Sequence, residues 1–242
     1  MTARADEPRA RAYEVVLAAV EEQIIGGRLR AGDRLPAERE LATQLGVSRA
    51  SVREAVRALE ALGIVRSAVG QGPEGGTFLT AGSSSALTRL LRLHIGLATF
   101  PMPDAIEARV MLERWSARLA AQFATPAEVE AMAETLAAMA VPGIGRAAFN
   151  ELDTSFHVQI ADAGHNRLVA DMTTAIRDAM RSWIMHSFEE MEEFDEYVEE
   201  LRDQHAGVLA AITERRPLRA ADRVEAHIRA SYSVLLWSRE PA

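Results

Sequence analysis

Residues 36–66, PAERELATQLGVSRASVREAVRALEALGIVR, decide the fold. Leu41, Ala42 and Leu45 give the first part an apolar stripe at helical spacing, and Val52, Val56, Leu59 and Leu62 give the second part a longer one. Gly46 supplies the left-handed conformation that ends the first helix, and Ser48 is placed to cap the second. Two such helices joined by a short glycine-containing turn match a helix-turn-helix. The second helix opens SRASVRE, so Ser48, Arg49, Ser51 and Arg53 cluster in its first turns, where a recognition helix meets base edges. Arginine forks bidentately onto guanine, and short hydroxyls reach phosphates or bases. Taken alone, the pattern also fits an ordinary helical hairpin with a solvated arginine face.

The flanks weigh against that plainer reading. Downstream, GIVRS and TFLT read as two strands around a glycine-rich tip, GQGPEGG, which together make a wing. Upstream, Tyr13, Val16, Leu17, Val20, Ile24 and Ile25 make an amphipathic helix over about 10–25, ended by Gly26 and Gly27. The order helix, LRAGDRLPAERELA, helix, GVSRASVREAVRALEALGIV, wing resembles the DNA-binding domain of the GntR family of bacterial transcription regulators, over roughly residues 10–80. The resemblance implies DNA contacts at Arg34, Arg39, Arg49 and Arg53, with Ser48 and Ser51 beside them, and a wing glycine, Gly75 or Gly76, near the minor groove. For Arg34 and Arg39 the alternative is an ion pair with a neighbouring acid such as Glu38 or Glu40.

Charge supports a division of labour. All 27 basic residues are arginine, against 35 acids, for a net charge of −8 over 242 residues. Up to Thr80 the chain holds 11 arginines and 11 acids; the remainder holds 16 and 24, so the whole excess lies there. The second part is a poor partner for nucleic acid, and the first needs a local basic face to bind it. Cysteine is absent, which excludes a disulfide framework. No apolar run approaches membrane-spanning length and residues 1–13 lack a signal-peptide core, so a cytoplasmic location is expected.

After residues 81–85, AGSSS, which read as a linker, every segment has helical periodicity. Stretches starting near Ala86, Pro103, Pro126, Ala147, Asn166, Phe194 and Pro217 predict seven helices. The expected fold is therefore mainly α: a winged helix-turn-helix with a small β-hairpin over 1–80, and a seven-helix bundle over 86–242 for effector binding and dimerisation. A homodimer on a pseudo-palindromic operator is expected, because two-fold protein symmetry mirrors two half-sites. Leu87, Leu90, Leu91 and Leu93 could form its interface or belong to the bundle core.

Within the bundle, Asp153 and His157 sit four apart in ELDTSFHVQI and share a helix face. His205, in LRDQHAGVLAAI, and His227, in RVEAHIRAS, lie near other apolar stripes. One histidine on an apolar face is ordinarily a satisfied core residue. Three, with a carboxylate at i−4 of the first, form a donor set suited to Zn, Ni, Fe or Mn. The pattern DxxFH, then HAGVLAAI, then a histidine near the chain end resembles the effector domain of the FadR subfamily of GntR regulators. That resemblance implies that Asp153, His157, His205 and His227 bind one divalent metal, zinc first with nickel, manganese or iron as alternatives. It also implies that Arg109, in EARVMLE, holds an effector carboxylate; a salt bridge to Glu107 or Glu113 is the competing role. His94, His165 and His186 match nothing in the motif, and the run EEMEEFDEYVEE reads as a solvated acidic turn.

The function expected is a DNA-binding regulator, a repressor, controlled by a small carboxylate. Its partners would be double-stranded operator DNA, the effector and a second copy, with no membrane. Two other classes are compatible with the donor set: a regulator whose effector is the ion itself, and a hydrolase using a metal-activated water. Against the hydrolase, no further general base stands out and such an enzyme has no use for a winged helix.

Overall fold

The computed structural model describes residues 7–68, 70, 75–80, 85–97 and 99–237. The expected linker, 81–85, and the tip of the wing lie largely outside them. The chain divides into two compact units, 1–86 and 87–242. No helix among the described residues is long and apolar enough to cross a membrane.

The first unit has helix α1 (Glu7–Ile25), α2 (Glu38–Leu45), α3 (Arg49–Ala61) and strands β1 (Val65–Ala68) and β2 (Gly76–Leu79). Gly46 adopts φ 66° at the end of α2 and its N–H returns to Ala42, so the expected left-handed stop is present. Ser48 caps α3 by accepting from the Ser51 N–H at 3.1 Å. Val16, Val20, Leu41, Val52, Ala55, Val56 and Leu59 bury one stripe of each helix in a shared core. β1 and β2 pair antiparallel, Val65 opposite Leu79. One pairing goes beyond the sequence expectation: residues 32–35 join the hairpin as a third edge. Leu35 donates to Thr77, Gly32 donates to Leu79, and Leu79 donates to Asp33. The segment before the helix-turn-helix is thereby stitched to the wing that follows it.

Among the described residues the seven expected helices follow, the first starting just ahead of the second unit's boundary: α4 (Ser85–Gly96), α5 (Met102–Phe123), α6 (Pro126–Met139), α7 (Arg146–Asp162), α8 (Arg167–Glu190), α9 (Phe194–Thr213) and α10 (Pro217–Trp237). Thr125 and Glu128 form a reciprocal capping box at the start of α6. α5 runs through the middle and packs on α7, α8, α9 and α10. Phe149, Phe156, Ile160, Met180, Leu201, Val208, Ile212, Val224 and Ile228 are among its core residues. On α4, Leu87 and Leu91 are half-buried, whereas Leu90 and Leu93 are exposed.

Candidate metal centre and nucleic-acid interface

α7 buries Phe149, Asp153, Phe156, His157 and Ile160 on one face, a run of i, i+4, i+7, i+8, i+11. The apolar members anchor the helix; the two polar ones are carried inward with them. His205 on α9 and His227 on α10 reach the same point from two other helices. Asp153, His157, His205 and His227 offer ligand atoms that all lie within 4.8 Å of one another. None of the four is more than 7% exposed. His157 Nε2 lies 3.2 Å from His205 Nε2, and Asp153 Oδ1 lies 3.1 Å from His205 Nε2.

A ring of further residues holds these four; Arg109 and Glu113 were named from the sequence as a possible pair, whereas Arg177, Gln204 and Tyr232 were not. Glu113 Oε2 is 2.5 Å from His157 Nδ1. Gln204 Oε1 is 2.8 Å from His227 Nδ1. Arg177, 2% exposed, donates to Asp153 Oδ2 at 2.6 Å and to Glu113 Oε1 at 2.9 Å. Arg109 donates to Glu113 Oε1 at 2.5 Å and to the Tyr232 hydroxyl at 2.6 Å. Arg109 thus makes the ion pair with Glu113 that was the alternative to an effector contact, while Glu107 pairs with Arg229 instead. The signals available were weak: Glu113 lies four residues after Arg109, and Arg177 interrupts the apolar stripe of Ala175, Ile176 and Met180. Buried arginines are rare enough that sequence reasoning puts such a residue on the surface.

Burial and charge set the protonation states. Desolvation, helped by the Arg177 guanidinium, pulls His157 from the ordinary imidazole value of 6.5 to about 4. Desolvation, then the neighbouring imidazoles, holds His227 well below its usual range. For Asp153, burial pushes upward, but Arg177 and the His205 hydrogen bond outweigh it and keep the carboxyl well below its usual range. Glu113 behaves likewise, with Arg109 and Arg177 overcoming burial. Neutral imidazoles beside an ionised carboxylate are what a divalent cation needs as ligands. The donor set fits such an ion: one carboxylate oxygen and imidazole nitrogens converge within 4.8 Å of one another in a buried site.

These shifts predict a pH dependence. His157 has a folded pKa below its unfolded one, so the unfolded chain takes up the proton first as pH falls. The metal-free bundle should lose stability from about pH 6.5 down towards 4, with the carboxylates adding to the loss below their ordinary range. Urea midpoints of chelator-treated protein at pH 7, 6 and 5 measure this; midpoints that rise on acidification contradict it.

Similarity to known proteins bears on what the two units are. The family described as "Bacterial regulatory proteins, gntR family" matches residues 12–74, and the FCD domain family matches residues 104–230, more than half the chain. The chain belongs to the GntR family of bacterial regulators. It pairs the GntR helix-turn-helix with an FCD domain, and it is a transcriptional regulator of that type. Similar proteins include the Glc operon transcriptional activator of Escherichia coli strain K12, 29% identical over 89% of this chain and 85% of that protein. Another, from the same strain and named for regulation of the L-lactate dehydrogenase operon, is 34% identical over 76% of this chain and 70% of that protein. A solved structure titled Streptococcus agalactiae GntR shares the fold, with TM-score 0.55, 24% identity and coverage of 90% of this chain and 98% of that one. The families and relatives matched are regulators, which sets the hydrolase reading aside.

In the GntR unit, Arg34, Arg39, Ser48, Arg49 and Arg53 are exposed. Among the described residues neither Arg34 nor Arg39 is ion-paired with Glu38 or Glu40. Ser51 is different: it is 1% exposed and its hydroxyl lies 2.9 Å from that of Ser48, so it completes the cap of α3. Gly75 is buried against the Gly70 carbonyl, where a Cβ would overlap it. Gly76 has φ 137°, and a Cβ there would lie 2.5 Å from Arg34 Nε. Glycine therefore lets the Arg34 guanidinium lie directly over the wing backbone.

Proposed function

We propose that this regulator, of the FadR subfamily, binds a pseudo-palindromic operator as a homodimer in the cytoplasm. Control would come from a small carboxylate held next to a divalent metal, zinc first with nickel, manganese or iron as alternatives. Asp153, His157, His205 and His227 would hold the ion. When bound, the ion supplies Lewis-acid attraction for an anionic ligand. The observation that carries this reading is the charge inside the bundle. Arg109 and Arg177 are matched by Glu113 and Asp153, and the two histidines whose charge is set by burial are neutral. A divalent cation therefore adds two positive charges to a buried site whose two arginines are already matched by two carboxylates. Buried excess charge is costly unless paired, so an anion completes the site. Arg109 sits beside the ligand set, where it can pair with a carboxylate by charge-assisted hydrogen bonds. One relative's name refers to L-lactate dehydrogenase, and lactate is a small 2-hydroxy carboxylate of the right kind.

On DNA, Arg49 and Arg53 would enter the major groove from the start of α3, with Ser48 beside them. Arg34 and Arg39 would meet the backbone, and the wing around Gly75 and Gly76 would approach the minor groove. Repression needs only operator occupancy. Because one relative is named an activator, the assay must read both signs. The test selects operator sequences from a random duplex pool with full-length protein, then titrates metal and L-lactate separately. Metal alone changing operator affinity favours the ion as effector; a change that requires the carboxylate favours the reading above; neither changing it sinks both. Arg49→Ala and Arg53→Ala should each cost about 1–3 kcal/mol and relax specificity at one base pair. Wild-type binding by both variants overturns the docking, and a monomer in sedimentation with and without DNA overturns the dimer.

A further inference from the structure

Strand pairing puts one more arginine on the face that carries Arg34. Arg66 in β1 lies opposite Phe78 in β2, and Phe78 in turn lies opposite Arg34. Residues directly opposite across strands share one side of a sheet. The chain neighbours Leu35, Val65 and Leu79 are buried in the core, so the row Arg34, Phe78, Arg66 faces outward. Both arginines are exposed and Phe78 is half-buried. Adjacent strands lie about 4.8 Å apart, which sets the two arginine backbones about 10 Å from each other, far enough to meet two different phosphates. Gly76 belongs to the same face, two residues before Phe78 and opposite Ala68.

We infer that Arg66 is a further DNA-contact residue, gripping the phosphate backbone together with Arg34 from the outer face of the wing, and that Phe78 is its positioning residue. The inference rests on the docking proposed above, in which the wing lies against the duplex, and adds a contact to it. Each guanidinium has a seat. Arg66 lies over the Phe78 ring, 5.4 Å from its centroid. Stacking on an aromatic face fixes the plane of the fork and leaves its N–H edges free. Arg34 lies over Gly76, where a Cβ would come within 2.5 Å of its Nε. The neighbouring acids are engaged elsewhere: Asp33 Oδ2 accepts from the Arg30 N–H at 2.7 Å, and Glu60 Oε1 accepts from the Ser67 N–H at 3.0 Å. Among the described residues neither guanidinium has a hydrogen-bond or ion-pair partner. A planar fork held outward without a protein partner matches a phosphate, and a contact of that kind fixes position without reading a base.

The test measures binding of full-length protein to two fluorescein-labelled duplexes, the operator selected as above and a shuffled duplex of the same composition, at several salt concentrations. Arg66→Gln should weaken both duplexes by the same factor and make the logarithmic salt dependence shallower by about 0.9. Its deficit against wild type should therefore shrink about 3.5-fold between roughly 50 and 200 mM salt. Phe78→Leu keeps an apolar side chain on the strand and should give a smaller loss of the same kind. That loss should vanish in the Arg66→Gln background, because a residue acting through Arg66 then has nothing left to position. An equal loss in both backgrounds means that Phe78 serves the fold of the wing alone and overturns its positioning role. Arg66→Gln with wild-type affinity and salt dependence, in an assay where Arg49→Ala weakens the operator, overturns the contact and leaves the docking standing. If Arg49→Ala and Arg66→Gln both bind as wild type, the docking beneath the inference falls with it.

Discussion

Replacing Arg177 with methionine should lower the stability of the metal-free helical unit by about 3–5 kcal/mol, the cost of removing one partner from a buried charge network. Methionine nearly keeps the volume, so little of the loss would come from a cavity. What remains is Asp153, 7% exposed, without the guanidinium that holds it ionised. Glu113 is less affected, since Arg109 still pairs with it at 2.5 Å. The carboxyl of Asp153 would answer by taking up a proton, so the destabilisation should shrink on acidification towards the ordinary carboxylate range. At about 2–4 °C per kcal/mol for a unit of this size, melting should fall by roughly 6–20 °C. A loss of less than about 1 kcal/mol would mean that the network is solvated or rearranged in solution. Added zinc should recover part of the loss, because a cation beside Asp153 restores a counter-charge.

Zinc itself should raise the melting temperature of the stripped wild type. A ligand of the folded state present at 100 to 1,000 times its dissociation constant stabilises by about 2.7–4.1 kcal/mol, or roughly 5–15 °C here. The double variant His157→Ala with His205→Ala should show no such rise. Its absolute stability is a poor readout, since two core side chains are lost; the zinc-dependent difference is the measurement. Elemental analysis of protein grown in metal-replete medium should find about one ion per chain in the wild type and none in the variant. An unchanged melting curve on zinc addition to wild type, with no ion bound, removes the site.

Much of this molecule could be read directly from residue order. The helix-turn-helix was legible because its information is local: Leu41 and Leu45 against Val52, Val56 and Leu59 give the periodicity, Gly46 the stop and Ser48 the cap. The seven helices from Ser85 onward were legible for the same reason. The four proposed metal ligands were legible because Asp153 and His157 lie one helical turn apart and because the wider pattern resembles a known family. The exposed face of α3 followed from periodicity alone, though Ser51 turned out to lie on its buried side.

What the sequence determined by itself is the order and type of the elements, the two-part plan and the four residues proposed as ligands, all carried by spacing within single helices or by motif. Only the tertiary structure decided what surrounds them. Arg34 lies over Gly76, and residues 32–35 pair with a wing more than 40 positions away. Arg109 faces Glu113 and Tyr232; Arg177 bridges Asp153 and Glu113; Gln204 meets His227. Most of these contacts join residues 23 to 123 positions apart, and they depend on how α5, α7, α8, α9 and α10 rotate about their axes when their apolar faces pack. Local periodicity says which face of a helix turns inward. It does not say which inward-facing charge will meet which, and that pairing, together with burial, shifts the protonation of Glu113, Asp153 and His157.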